Sequence, residues 1–238
     1  MTTNGSSGRL HAVVAIVGID GAGKTTQAHL LAEWIAAAGY AVGYWQNAGG
    51  RRWFGRLAQF FGRPDAQALL GVGGMLFVES VLRWLAIARA LVRSRLRRHI
   101  AVMDRYSWCQ YASIRAHASM AATLPPPGGP SGGPSGGPSR RERRARRLYG
   151  LFREPDLTVF LAVTPHRAWT RVEERGTDHE DLGYLAAADA AYRSLPESER
   201  FVVIDADRDL AAVQRDLRLA VAARLGLPGA DVGPLVVP

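Results

Sequence analysis

Short apolar runs alternate along the chain with longer segments whose apolar residues recur at helical spacing. The first run, 11–17 (HAVVAIV), is rich in β-branched residues and ends at Gly18, which predicts a strand buried on both faces. Four similar runs predict further strands at 40–45, 100–103, 157–163 and 201–204. Helical patterns cover 25–38, 65–99 with an interruption near 71–74, 166–175 and 210–225. This alternation predicts a three-layer α/β fold, a five-stranded parallel sheet with helices on both faces.

One segment does not fit the alternation. Residues 124–139 contain a GGPS unit repeated three times, and proline, glycine and serine at this density cannot bury enough surface to order the chain. The arginine block that follows, RRERRARR, is interpreted as a solvated helix start or tail of the same insertion. Because strands lie on both sides, we expect one domain over 11–228, interrupted by a disordered insertion at 124–147, with flexible tails at 1–10 and 229–238.

The net charge of +9 changes this picture little. The arginine block holds six arginines and one glutamate, so it supplies +5 of the +9, and no recognised nucleic-acid-binding module accompanies it. We therefore expect no nucleic-acid partner. The single cysteine, Cys109, excludes an intrachain disulfide and favours a reducing, cytoplasmic setting. No apolar run is long enough to span a bilayer, so we expect no membrane association.

The clearest chemical signal follows the first strand. Residues 18–25 (GIDGAGKT) match the phosphate-loop pattern G-x-x-x-x-G-K-[ST], between a predicted strand and a predicted helix. Glycines at these positions let backbone N–H groups turn toward phosphate oxygens at the positive end of the helix. Lys24 is the only lysine in the chain, as expected where a compact ammonium is needed and a guanidinium is too broad. The expected ATP phosphate-binding residues are Gly18, Asp20, Gly21, Ala22, Gly23, Lys24, Thr25 and Thr26.

A carboxylate at the end of a neighbouring strand usually completes a magnesium site in such proteins. Asp104 follows the strand at 100–103, and Arg105 lies next to it. Thr25 and Asp104 are therefore the predicted Mg²⁺ ligands, and the alternative for Asp104 is a cap on the next helix. An adjacent carboxylate and guanidinium suit a metal ion and a phosphate together.

Taken together, the motifs resemble the thymidylate kinase family of P-loop nucleoside monophosphate kinases. The resemblance rests on GIDGAGKTT at 18–26, DRY at 104–106, PDLTVFL at 155–161, the run ending at Tyr192, and VVIDA at 202–206. It implies a P-loop kinase fold with a short lid at 171–184, ATP as donor, Mg²⁺, and a homodimer as one option. It also implies residue roles: Asp20 contacts the acceptor sugar, Arg105 the acceptor phosphate and Arg83 the acceptor base, while Asp205 and Ala206 border adenine. The expected catalytic residues are Lys24, Asp20, Arg105, Arg171 and Arg175.

Family members without a basic residue inside the phosphate loop usually supply a lid arginine instead. Ala22 is not basic, so either Arg171 or Arg175 is expected to serve. Arg83 lies on a strongly basic helical segment, and a solvated arginine is the alternative there.

The acceptor side departs from the family pattern. The usual REPGGT segment is replaced by QNAGGRRWF at 46–54, and the usual serine and A-Y-Q after DRY by Cys109 and by Ala112, Ser113 and Ile114. Transfer from ATP to dTMP, giving dTDP for nucleotide biosynthesis, is the first expectation. A kinase for a nucleoside or another small molecule is the alternative, and a regulatory nucleotide-binding protein without transfer is a second one.

Overall fold

The computed structural model describes residues 11–47, 66–123, 137–176 and 179–227. Five strands in this part of the chain are β1 (Val13–Val17), β2 (Val42–Gln46), β3 (Ile100–Asp104), β4 (Leu157–Ala162) and β5 (Val202–Asp205). Seven α-helices are α1 (Lys24–Ala37), α2 (Ala66–Arg97), α3 (Ser107–Thr123), α4 (Arg140–Tyr149), α5 (Pro165–Arg175), α6 (Leu182–Arg193) and α7 (Leu210–Leu225), with a 3₁₀ turn at Pro196–Arg200. The predicted α/β P-loop kinase fold is confirmed, and the strand limits differ from the prediction by one or two residues.

The five strands form one parallel sheet in the order β2-β3-β1-β4-β5. All five residues of β1 are fully buried, because this strand has a neighbour on each side and helices on both faces. Ile16 of β1 pairs with Asp104 of β3, so the two strands end side by side. The loop that follows β1 therefore emerges next to Asp104.

Helix α1 is anchored along its buried side, which fixes the loop that leads into it. Leu31 and Ile35 are fully buried, and the side chain of Gln27 donates a hydrogen bond of 3.1 Å to the carbonyl of Leu210 at the start of α7. The predicted helix at 25–38 begins one residue earlier and ends one residue earlier in the structure.

Helix α2 runs without a break from Ala66 to Arg97, so the predicted interruption near 71–74 is wrong. Glycine lowers helix propensity by about 1 kcal/mol but does not forbid a helix, so three glycines near 71–74 fit within a helix of 32 residues. The helix packs on β2, β3 and α3. Among the described residues, no helix has the length and hydropathy needed to cross a membrane.

The arginine block is an ordered helix, so the prediction of a disordered insertion is wrong for residues 140–147. Glu142 is only 1 % exposed, and its carboxylate accepts hydrogen bonds of 2.9 Å from Arg115 of α3 and from Arg146. Burial alone would raise the pKa of Glu142, but the bonds from Arg115 and Arg146 lower it, so the group stays ionised. Ser139 caps the helix by accepting from the Glu142 amide. Residues 124–136 and both predicted tails lie outside the described residues, and the domain limits stay predictions.

Replacing Glu142 with alanine should lower the free energy of unfolding by about 2 to 3 kcal/mol, because Arg115 and Arg146 lose their shared buried partner. The matched control is Glu154→Ala, whose partner Arg200 is 61 % exposed and whose own side chain is 57 % exposed. That change should cost less than about 1 kcal/mol. Urea unfolding followed by circular dichroism measures both, and equal losses would contradict the assignment of Glu142 as an anchor.

Candidate functional site

The phosphate loop joins β1 to α1 and uses glycine where other residues cannot fit. Gly21 has φ +86°, and a Cβ atom there would lie 2.2 Å from the carbonyl oxygen of Ala168 in α5. Gly23 has φ +82° at the position just before α1, with no atom of the described chain near its missing side chain. The loop therefore packs against α5 on one side and leaves the first amides of α1 available to an anion.

The ammonium of Lys24 lies inside this loop, and the residue is 5 % exposed. Its Nζ donates to the carbonyl of Ile19 at 2.6 Å and to Oδ1 of Asp20 at 3.2 Å. Burial lowers the pKa of Lys24 and the nearby charge of Arg105 lowers it further, whereas Asp20 and Asp104 raise it. The ammonium is thus held by two oxygens at the place where phosphate oxygens are expected.

The same Asp20 oxygen accepts a hydrogen bond from the guanidinium of Arg105. Burial would raise the pKa of Asp20, but the charges of Arg105 and Lys24 together hold it well below its usual range. Asp20 is therefore ionised near neutral pH, and it bridges two cations that would otherwise repel each other.

The backbone at Arg105 is unusual, with φ +76° in the left-handed region that non-glycine residues rarely occupy. Two contacts hold it there. Its amide donates to the carbonyl of Ile16 at 3.0 Å, and its own carbonyl accepts from the side-chain amide of Asn47 at 2.9 Å. This conformation turns the guanidinium of Arg105 from the end of β3 toward Asp20.

Asp104 offers a site that fits Mg²⁺. Its Oδ2 accepts hydrogen bonds from the hydroxyl of Thr25 at 2.6 Å and from the hydroxyl of Tyr44 at 3.3 Å. Its Oδ1 is buried and has no hydrogen-bond partner among the described residues. A buried carboxylate oxygen is costly unless it is satisfied, and carboxylate and hydroxyl oxygens are ligands that Mg²⁺ accepts. These bonds go to Thr25 and Tyr44, which does not support the helix-cap alternative.

Arg83 of α2 is buried, not solvated. It is 6 % exposed, and its Nη1 donates at 2.8 Å to the side-chain oxygen of Gln110 in α3. Its Nε is buried without a hydrogen-bond partner in the part of the chain that the structure describes. Tyr192 of α6 is also buried close by, and burial followed by its bond with Cys109 raises its pKa well above the usual value. An unsatisfied donor thus lies where α2 meets α3.

The two expected lid arginines have different surroundings. The guanidinium of Arg171 in α5 donates to the carbonyls of Ala206 at 3.1 Å and Gly21 at 3.4 Å, so it joins the phosphate loop to the end of β5. Arg175 is exposed and donates to the carbonyl of Arg171 one turn earlier. The two residues expected to border adenine also differ. Ala206 is buried and its amide donates a hydrogen bond to the carbonyl of Ala162 in β4, whereas the side chain of Asp205 is 60 % exposed. Residues 177–178 of the predicted lid lie outside the described residues.

Sequence reasoning missed Tyr44, Asn47 and Gln110. Tyr44 lies inside β2, and only the pairing of Gln46 with Asp104 shows that β2 ends beside the site. Asn47 lies two residues after the predicted strand at 40–45, which was a usable signal, because residues that follow strands gather at one edge of a parallel sheet. Trp45, the next residue of β2, stacks on His99.

Comparisons with known proteins agree with the motifs. No family model matches the chain. The probable thymidylate kinase of Methanothermobacter thermautotrophicus is 28 % identical over 90 % of this chain and 96 % of its own length. The probable thymidylate kinase of Archaeoglobus fulgidus is 27 % identical over 90 % and 97 %, and the thymidylate kinase of Hahella chejuensis is 25 % identical over 89 % and 96 %. The chain is thus related to thymidylate kinases over about nine-tenths of its length, and the predicted resemblance is confirmed.

Replacing Gly21 with alanine should lower the free energy of unfolding by about 3 kcal/mol or more, because strain at positive φ adds to a clash with the Ala168 carbonyl. Gly39→Ala is the matched control, since Gly39 has φ +85° but no described atom near its missing side chain. The control should cost about 1 to 2 kcal/mol. Thermal unfolding measures both, and equal costs would show that α5 does not press on the loop.

Proposed function

We propose that this chain, a phosphotransferase related to the thymidylate kinases, transfers the γ-phosphoryl group of ATP to a nucleoside monophosphate, with dTMP as the acceptor. One observation carries the proposal: Asp20 contacts both Lys24 on the donor side and Arg105 on the acceptor side. A nucleotide-binding protein without transfer would need the first contact only. The single cysteine supports a reducing, cytoplasmic setting, and a homodimer stays a prediction.

On the donor side, the loop amides and the first turn of α1 would hold the ATP phosphates. Lys24 would exchange its bonds to Ile19 and Asp20 for phosphate oxygens, since its ammonium is already desolvated there. Thr25 and Asp104 would hold Mg²⁺, which when bound neutralises charge on the phosphates. The adenine would lie near Ala206, beside the guanidinium of Arg171.

On the acceptor side, Arg105 would bind the acceptor phosphate and Asp20 would accept a hydrogen bond from the sugar hydroxyl. The low pKa of Asp20 supports this role, because an ionised carboxylate is an acceptor only. The unsatisfied Nε of Arg83 needs an acceptor atom, and at the 4-position of the base thymine would present a keto oxygen, where cytosine presents an amino group that cannot accept. This contrast supports dTMP over dCMP.

Transfer itself needs little covalent help from the protein. The bond between the γ-phosphorus and the oxygen that bridges it to ADP breaks as an oxygen of the acceptor phosphate bonds to the γ-phosphorus. Charge on the phosphoryl group in transit is stabilised by Lys24 and by an arginine from the lid. Arg175 suits this role better than Arg171, because Arg171 is tied to two carbonyls and Arg175 is exposed.

ADP release in the presence of ATP and Mg²⁺ should be fastest with dTMP, with kcat/KM about tenfold or more above dCMP, since a lost hydrogen bond at a buried donor costs at least that factor. The panel also includes dUMP, thymidine and an aminoglycoside. Lys24→Met is the matched control, and its rate should fall by about 10² or more. A higher rate with thymidine or the aminoglycoside would favour a small-molecule kinase. Tight ATP binding without acceptor-dependent turnover would favour the regulatory alternative.

Replacing the two lid arginines should change different kinetic constants. Arg175→Ala should lower kcat by about 10² or more with little change in KM for ATP, because it removes charge stabilisation in the transition state only. Arg171→Ala should mainly raise KM for ATP, because it releases the carbonyls of Gly21 and Ala206 that border the donor. Steady-state kinetics with each variant measure both effects, and an unchanged kcat for Arg175→Ala would remove this residue from the mechanism.

A further inference from the structure

Helix α4 divides its arginines between two faces. On the inner face, Arg146 donates to Glu142 and Glu197, and its guanidinium lies 4.5 Å from the centre of the Tyr111 ring. On the outer face, four exposed arginines line one open groove of about 280 Å³: Arg140, Arg143, Arg144 and Arg147. Within the described part of the chain, the groove lining contains no other residue type.

The inner face fixes the direction in which the outer arginines point. Glu142 is bonded to Arg115 of α3, and the hydroxyl of Tyr149 donates to the carbonyl of Ser80 in α2 at 2.6 Å. These contacts hold both ends of α4, so the helix cannot rotate about its axis. The four side chains therefore stay on the outer surface as one fixed group.

The outer arginines have no acidic partner among the residues that the structure describes, where the recorded ion pairs of α4 involve Glu142 and Arg146 only. Residues 124–136, which precede α4 and lie outside the described residues, contain no aspartate or glutamate. Four like charges on adjacent turns of one helix repel each other. A polyanion that binds there relieves this repulsion.

The lining decides between classes of polyanion. Guanidinium groups form two parallel hydrogen bonds with phosphate and carboxylate alike, but a nucleic-acid strand presents its phosphates at a regular spacing that a row of four arginines can follow. A groove of arginines alone lacks the apolar or aromatic anchor on which a protein partner depends. Ala145 and Tyr149 of α4 are buried in the core, and Leu148, 36 % exposed, is the one large apolar side chain that the helix leaves at the surface, which is too little apolar area for insertion into a membrane.

We propose that Arg140, Arg143, Arg144 and Arg147 form a binding surface for the phosphodiester backbone of a nucleic acid, without base preference. Backbone binding needs only fixed cations, and it does not require a recognised module, whose absence from the sequence argued against a nucleic-acid partner. The surface is independent of the proposed kinase reaction, because none of the four residues belongs to the phosphate loop or the acceptor site.

The test uses the full chain and a fluorescein-labelled single-stranded DNA of about 20 nucleotides in an anisotropy titration. The variant R140Q/R143Q/R144Q/R147Q should bind about tenfold or more weakly at low salt. Its slope of log affinity against log salt should also be smaller by about 0.7 for each DNA phosphate that the variant no longer neutralises. The control R93Q/R97Q/R200Q/R215Q removes the same charge from exposed arginines outside α4 and should stay within about twofold of the unchanged protein.

Equal weakening in both variants would overturn the proposal, since net charge alone would then explain binding. Competition by polyglutamate as effective as competition by unlabelled DNA of equal charge would also overturn it, in favour of an acidic protein partner. Circular dichroism and ADP release should be unchanged in the α4 variant. If its helix content falls, R143Q/R147Q is used instead, and its DNA affinity should fall by about threefold. Its control is then R93Q/R97Q, which removes the same charge outside α4.

Discussion

The carboxylate of Asp20 is the contact on which the candidate site depends. It accepts hydrogen bonds from Lys24, in the loop after β1, and from Arg105, at the end of β3. Arg105 lowers the pKa of Lys24, so without the carboxylate between them the buried ammonium and the half-buried guanidinium would destabilise each other. The contact exists because β1 and β3 are neighbours in the sheet and Ile16 pairs with Asp104. One carboxylate thus connects the phosphate loop to the residue that follows β3, through a pairing that the whole sheet fixes.

That connection requires an unusual backbone. Arg105 holds φ +76°, a conformation that costs an ordinary residue roughly 1 to 2 kcal/mol and persists only where surrounding contacts determine it. The carbonyl of Ile16 and the side chain of Asn47 provide those contacts from the two strands on either side of β3. The hydrogen bonds from the neighbouring strands therefore offset the conformational cost at Arg105. This explains why a residue with positive φ can directly follow the fully buried strand β3.

The five strands and the phosphate loop could be predicted because their signals are local: β-branched runs, glycine spacing and a helical period. Glu142 shows where local signals end. Glu142 is bonded to Arg115, and Arg146 connects it to Glu197, and both residues come from distant parts of the chain. Composition alone does not show these contacts, so it predicted a solvated extension of the low-complexity segment. Tyr44 is a similar case, because its bond to Asp104 spans 60 positions and appears only once β2 pairs with β3. Charge and propensity therefore describe residues 140–147 as solvated, whereas the buried carboxylate of Glu142 explains why they form an ordered helix.

The same reasoning applies to the altered acceptor side. The segment after β2 lacks the glutamate expected from the family, yet Asn47 stands there and supports the carbonyl of Arg105. The position after DRY lacks the expected serine, yet Cys109 bonds Tyr192, and the neighbouring Gln110 holds Arg83. Arg105 and Arg83, which would face the acceptor, therefore both keep contacts that hold them in place. Arg83 also keeps one buried donor, Nε, without an acceptor among the described residues. Gln110 satisfies one donor of Arg83, but leaving its Nε buried without an acceptor costs about 1 to 3 kcal/mol unless a ligand supplies one. The departures therefore favour an altered support around a retained acceptor site.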